Sequence, residues 1–479
     1  MSASPAAATP AAPPPMNPRT RALLEAPVPR TLLRLGAPNV LVMVAQACVG
    51  LIETYFIGKL GVDALSGVAL VFPVVMLMQM MSAGAIGGGI SSAIARALGA
   101  RRVDDANALV LHACLVSIAF GLVFMAAAWL GGGALYAGMG GSGASLDVAL
   151  TYSGWVFAGA VLIWLFNALA SVVRGTGNML VPAVVTCVGT IVLIPLSPAL
   201  IFGFGPIPRL GVAGGAIALL LYYVAGTAWM AAYVFRGRSV LTPRMRGFRV
   251  RWPLLGDILR VGLAGAISTV ATNVAIAIAT AYAGRYGDAA IAGYGTGSRI
   301  EYLLVPLVFG LGGPLVAMVG TCIGAGDRRR ALHATWVGAG MVFVVTETIG
   351  LLAAAFPAGW IGLFSADPAV ISAGSLYLRA VGPFYGFFAI ALLLYFASQG
   401  AGKLAWPVVG NLLRLVVAAA GGWFAVQQGW GLVGVFAAQS AALVVYAAVN
   451  AFAVAGGAWF GPVGWPRGPV ALLRRFGTA

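Results

Sequence analysis

The chain has 479 residues, 61% of them hydrophobic and 8% charged, with a mean hydropathy of +0.97 and a net charge of +16. A water-soluble domain carries about 25% charged residues, so this composition excludes an ordinary soluble globule and predicts an all-α integral membrane protein. The positive charge does not indicate a nucleic-acid partner, because the lysines and arginines cluster at the ends of apolar runs and form no basic patch interleaved with aromatics.

The opening segment, 1–18, is rich in Ala and Pro and is expected to be disordered. No short apolar segment with a small-residue cleavage site precedes the first span, so no cleaved signal peptide is expected. Apolar runs broken by Gly, Pro or Arg clusters then predict spans over 36–57, 65–98, 105–131, 145–173, 178–203 and 211–235, in a lobe covering 19–235. The basic stretch 236–253, with Thr242-Pro243 inside it and Trp252-Pro253 at its end, reads as a linker. A second lobe, 254–458, carries spans over 254–284, 289–322, 331–356, 369–398, 404–426 and 430–458, and leaves 459–479 as a tail. The spans are helices, because hydrocarbon offers the backbone of a non-barrel chain no other way to pair its polar groups. The longest runs exceed what the bilayer needs and are expected to tilt, kink or protrude.

Orientation follows from the cationic residues. With both termini cytoplasmic, 22 of the 28 lysines and arginines fall on the cytoplasmic side and only Lys59, Arg209 and Arg285 fall opposite. Arg299, Arg379 and Arg414 lie within spans. That bias predicts an even number of spans in a bacterial inner membrane.

The chain also repeats itself. Gly58-Lys59-Leu60-Gly61-Val62-Asp63 matches Gly284-Arg285-Tyr286-Gly287-Asp288, with Asp288 in the place of Asp63. Leu98-Gly99-Ala100-Arg101-Arg102 matches Ile323-Gly324-Ala325-Gly326-Asp327-Arg328. Gly175-Thr176-Gly177 with Pro182 matches Gly400-Ala401-Gly402 with Pro407, at the same offset that separates Asp63 from Asp288. Six spans per copy give a parallel repeat, and transporters built this way place their sites between the halves near the midplane.

Intramembrane polar residues are therefore the candidates. Glu53, Gln46 and Asn39 recur at a spacing of seven positions, about two helical turns, and form a polar stripe with Gly50. Desolvation penalises a carboxylate there, so Glu53 is a candidate for cation coupling, against the plainer reading of a headgroup-level acid. Glu301 shares a helical face with Ser298, Gly297 and Tyr294; a structural ion pair with Arg379 or Arg414 is its alternative. Glu347 has no such stripe. Trp164, Asn167 and Ser171 share a face, and Asn273 stands alone; each could line a substrate cavity or act as interhelical glue. The Met76, Met78, Met80 and Met81 cluster reads as packing or as an adaptable drug-binding wall. Cys48, Cys114, Cys187 and Cys322 lack metal-type spacing, and no metal or other cofactor is expected.

Four stretches carry a family resemblance: Glu53-Thr54-Tyr55-Phe56-Ile57-Gly58-Lys59-Leu60-Gly61, Arg174-Gly175-Thr176-Gly177-Asn178 with Pro182, Gly211-Val212-Ala213-Gly214-Gly215-Ala216, and Val319-Gly320-Thr321-Cys322-Ile323-Gly324-Ala325-Gly326-Asp327. Across roughly 36–458 the chain resembles the multidrug and toxic compound extrusion family. The resemblance implies twelve helices in two six-helix lobes, and export of small amphipathic organic cations against protons or sodium. It also implies departures. Glu53 holds a position usually occupied by aspartate, and Ser197, Leu193, Thr272 and Phe388 replace polar or acidic residues found in relatives. A bare carboxylate left by those losses favours a proton over sodium as coupling ion.

A lipid-linked oligosaccharide or polyprenol flippase of the same superfamily is the competing expectation, with Arg299, Arg379 and Arg414 as its only candidate cations. No nucleophile or metal cluster points to an enzyme. The expected partners are small organic cations and membrane lipids. No oligomerisation signal is read, which leaves a monomer as the simplest unit.

Overall fold

The computed structural model describes residues 16–206 and 208–461. A short helix, α1 (Pro18–Glu25), precedes α2 (Val28–Gly58). α3 (Val62–Gln79) runs through a π-helical stretch, Met80–Ile86, into α4 (Gly87–Gly99), and α5 (Val103–Gly138) follows. α6 (Gly143–Ala158) and α7 (Ala160–Gly175) meet at a 47° bend. α8 (Leu180–Phe202) and α9 (Val212–Phe235) complete the first half. The second half holds α10 (Trp252–Gly284), the broken pair α11 (Asp288–Ser298) and α12 (Glu301–Gly324), α13 (Arg328–Ala355) and the short α14 (Pro357–Ile361). α15 (Pro368–Val381) passes through a 3₁₀ turn into α16 (Tyr385–Ala401), and α17 (Ala405–Gln427) and α18 (Gly431–Ala455) end the described chain. Among the described residues, eleven helical stretches are long and apolar enough to cross a membrane, and the bent α6–α7 pair makes twelve. The expected two lobes of six spans are present, and the kinks fall in the long runs.

The structure departs from the expected boundaries in four places. The first span begins at Val28, not 36. Pro29 sits in its first turn, where a missing N–H costs nothing, and Arg30 and Arg34 point outward from the helix end. α5 continues through Gly131-Gly132-Gly133, which read as a stop, to Gly138. Pro18 already belongs to α1, whose cap is the Asn17 side chain, and residues 252 and 253 are the first turn of α10 and not linker. Residues 1–15 of the expected disordered segment and 462–479 of the expected tail lie outside the described residues.

α1 and the start of α2 pack largely against the opposite half, with Met179 of their own half in the same cluster. Leu23, Val28 and Leu32 join one core with Val308, Leu315, Val319, Ala331 and Leu393 of the second half. Arg330 donates to the carbonyls of Leu23 (3.0 Å) and Ala26. The basic connection between the halves is likewise tied down. The Thr242 N–H donates to Asn107 Oδ1 (2.8 Å), the Arg251 N–H to His112 Nε2 (2.8 Å), and the Arg251 guanidinium pairs with Asp105 (2.6 Å).

The sequence repeat is also a repeat in space. α5 and α13, α6 and α15, α7 and α16, and α8 and α17 each begin at the offset that separates Asp63 from Asp288. The span breaks at Gly159 and at Gly382–Phe384 coincide on this offset. The second span of each half is the exception: π-helical over 80–86 in the first, broken at Arg299-Ile300 in the second.

The substantial contacts between the halves lie on the side that holds the linker. There α4 crosses α12 at two glycines. A Cβ on Gly99 would stand 2.1 Å from the Thr321 carbonyl oxygen, and one on Gly324 would stand 2.0 Å from that of Arg96. Gly99 and Gly324 are repeat counterparts, and so are Arg96 and Thr321. Around this crossing, Ser92 Oγ donates to the Gln399 carbonyl (2.6 Å), Gln399 Nε2 to the Gly84 carbonyl (3.1 Å), and Arg96 to the Gly400 carbonyl (3.0 Å) and Asp257 (2.7 Å). On the far side, α3, α6, α11 and α15 pack mainly within their own halves.

Candidate functional site

Glu53 lies in the last two turns of α2 and is buried among protein side chains, 9% exposed. The buried Tyr152 hydroxyl, on α6, donates to its Oε1 at 2.7 Å. Gln46 lies half-buried two turns earlier. Asn39, the third member of the stripe, has a different setting: its amide donates across the lobe seam to the carbonyls of Phe309 (2.9 Å) and Gly310 (3.3 Å).

A second polar group fills the middle of the first lobe. Gln79 closes α3 and Ser82 lies in the π-helical stretch, whose wider turn changes which side chains face inward. Asn167 on α7 donates to Gln79 Oε1 (3.0 Å) and Ser82 Oγ (2.8 Å), and Gln79 donates to the Tyr223 hydroxyl. Tyr223 packs edge-on against Tyr222 (4.9 Å) and Phe166 (5.6 Å), within electrostatic range of Glu53 and Tyr152. The result is a set of hydroxyls and amides beside one carboxyl.

The residues expected beside Asn167 are placed elsewhere. Trp164 stacks on Phe120 at 5.1 Å in the packed core of the lobe. Ser171 is fully buried and accepts from Arg174 (2.9 Å). α7 is buried on nearly every side, so a shared face does not select a cavity. Asn273 is exposed and folds back onto the Thr269 carbonyl of its own helix (2.9 Å); Ser268 and Thr272 instead receive Asn411. Of the methionines, Met78 is buried while Met76 and Met80 face outward, so they do not form one wall.

In the second lobe Glu301 opens α12, just after the break. Its partner is neither Arg379 nor Arg414: the Tyr377 hydroxyl donates to Oε1 at 2.8 Å. The Tyr385 hydroxyl lies 3.4 Å from that of Tyr377. Tyr294 packs in the same aromatic group, 5.2 Å from Tyr377, while Ser298 folds back on the Gly295 carbonyl (3.2 Å). Arg414 is held between the rings of Phe388 (5.4 Å) and Tyr446 (5.9 Å), and the exposed Arg299 lies over Phe364 (5.1 Å). Glu347 accepts from the Gly386 N–H (2.8 Å), an amide left open by the turn before α16, which makes it a helix cap.

Sequence reasoning missed Tyr152, Tyr223, Gln79, Tyr377 and Tyr385. One signal could have found two of them, because Tyr152 and Tyr377 stand at the repeat offset.

The comparisons with known proteins fit this architecture. The MatE family model matches residues 38–199 and 265–424, one block in each half. The "FAD transporter" of Shewanella oneidensis is 27% identical over 406 residues, covering 82% of this chain and 87% of its own. The "Probable multidrug resistance protein NorM" of Thermotoga maritima is 26% identical over 386 residues, covering 81% and 83%. A solved structure titled "Crystal structure of MATE in the bent conformation" superposes with a TM-score of 0.85 at 24% identity, over 91% of this chain and 96% of that one, and shares its fold. With its two matched blocks, twelve spans and duplicated lobes, the chain belongs to the MatE family of multi-pass membrane transporters.

Proposed function

We propose that this transporter exports small amphipathic organic cations in exchange for protons, by alternating access between its two lobes. The observation that carries the reading is Glu53, a carboxyl buried within the first lobe whose hydrogen-bond partner is the Tyr152 hydroxyl. Such a group can accept a proton from one side and release it to the other. The contact to Glu53 is a hydroxyl that donates a hydrogen bond to it, an arrangement that suits a carboxyl exchanging a proton. The arginine bias puts the linker side, and both termini, in the cytoplasm of a cell with this protein in its inner membrane. The linker-side seam is closed, so the state described here opens outward.

The flippase reading lacks support in the arginines, since Arg299 and Arg414 are held by different rings. One relative is named for FAD, so FAD belongs among the compounds tested.

The test is uptake of ethidium into proteoliposomes under a proton gradient, and separately under a sodium gradient at equal pH. The proton gradient is expected to drive transport, and Glu53→Gln is expected to abolish it while the protein still inserts. Sodium-driven transport, wild-type transport by the variant, or transport of FAD in place of ethidium would each overturn the reading.

A further inference from the structure

Each lobe holds one glutamate against a tyrosine hydroxyl, Glu53 buried and Glu301 half-buried, but at positions the repeat does not pair. The counterpart of Glu53 is Ile278, and that of Glu301 is Met76. The hydroxyls that hold them are counterparts: Tyr152 on α6 and Tyr377 on α15. The duplicated fold has kept a tyrosine in each lobe and supplied its acid from a different span, α2 in one and α12 in the other.

The surroundings of Glu301 decide what it can take. Tyr377 meets Phe436 edge-on at 5.1 Å and Tyr294 at 5.2 Å, and Tyr294 stacks on Phe436 at 6.2 Å. All are buried and turn their faces to one another. An organic cation needs an open ring face, and here those faces are occupied. Among the described residues, the titratable and charged groups around Glu301 are Tyr294 on α11, Tyr377 on α15, Tyr385 on α16 and Arg414 on α17. Arg414 is within electrostatic range but is clasped by its own two rings and forms no ion pair with Glu301. Glu347 on α13 is committed to the Gly386 N–H. A carboxyl beside two hydroxyls, with Arg414 held by its own two rings, suits a proton.

We propose that Glu301, with Tyr377 and Tyr385, is a second proton-binding site, so that each transport cycle moves two protons, one in each lobe. This rests on the proton-coupled reading above, and the two can fail separately.

The experiment uses the full chain in proteoliposomes with the membrane potential clamped at zero, and measures the ethidium accumulation ratio at equilibrium against the imposed pH difference. One pH unit is a tenfold ratio of proton activity. Two protons per ethidium therefore give a limit of about 100-fold per unit, and one proton gives about tenfold. Wild type is expected to follow the steeper dependence and Glu301→Gln the shallower one. A wild-type slope of one proton overturns the second site whether or not any variant folds, and so does an unchanged slope in Glu301→Gln. Tyr377→Phe keeps both carboxyls and is expected to retain the two-proton slope with a shifted pH dependence of rate; an unshifted profile also counts against the site. Wild type that ignores the proton gradient altogether overturns the coupling reading itself, and accumulation that follows sodium at equal pH assigns the site to sodium instead.

Discussion

Tyr152 and Tyr377 occupy equivalent positions in the two lobes, and each donates its hydroxyl to a glutamate, the buried Glu53 at 2.7 Å and the half-buried Glu301 at 2.8 Å. A hydroxyl that donates to a carboxylate supports its charged form. Such a bond is worth about 1.5–3 kcal/mol, enough to set the pH at which the acid loads.

Replacing Tyr152 by Phe removes that support from Glu53 and leaves its burial intact. The protonated form then persists to higher pH. At about 1.4 kcal/mol per pH unit, the midpoint of the pH–rate profile is expected to rise by about one to two units. Transport rates in proteoliposomes across pH 5 to 9 read this directly, and an unmoved midpoint would show that Tyr152 does not tune Glu53.

Gly99→Ala and Gly324→Ala each press a methyl into a backbone carbonyl oxygen across the seam, at 2.1 and 2.0 Å. Backbone cannot yield as a flexible side chain can, so α4 and α12 must part. Each variant is expected to depopulate the state with the linker-side seam closed, and the two effects are expected to be of similar size because the positions are counterparts. Spin labels at Ala100 and Ala325, followed by pulsed electron resonance, would report a longer distance; an unchanged distribution in both variants would mean the crossing tolerates a side chain.

Asn39→Ala removes the donor to the Phe309 and Gly310 carbonyls. At about 1 kcal/mol per bond, the balance between states is expected to shift by roughly 5- to 30-fold toward linker-side opening, with Glu53 untouched. The same label pair measures it, and transport is expected to keep its pH midpoint while its rate changes.

Trp164→Ala tests a packing role. A large aromatic lost from a tight core costs about 3–5 kcal/mol, so the melting temperature of the purified protein is expected to fall. The ranking of transported compounds is expected to stay the same in the protein that survives. A changed ranking with an unchanged melting temperature would return Trp164 to the substrate path.

How much of this was legible in the sequence depends on what forced each feature. Hydrocarbon leaves a chain few choices, so spans such as 212–235 and 405–427 could be placed closely. The offset was legible because turns need glycine: the counterparts Gly177 and Gly402 both adopt positive φ. The start of α2 was not, because Arg30 and Arg34 look like loop until their outward direction is known. Nor was the tyrosine pairing. Tyr is common in membrane proteins, and nothing local marks one that faces a carboxyl on another helix. Glu53 stood out by its charge; Tyr152 stands out only once α6 is laid against α2.

The docking of α1 onto the second lobe has a consequence for biogenesis. Arg330, which grips the carbonyl of Leu23, is encoded 307 residues later. At about 5–20 residues per second of synthesis, the finished arm waits about 15 to 60 seconds before the helix that receives it leaves the ribosome. The first span must therefore enter the membrane before Arg330 can hold α1, and α1 is among the last elements to reach its final place.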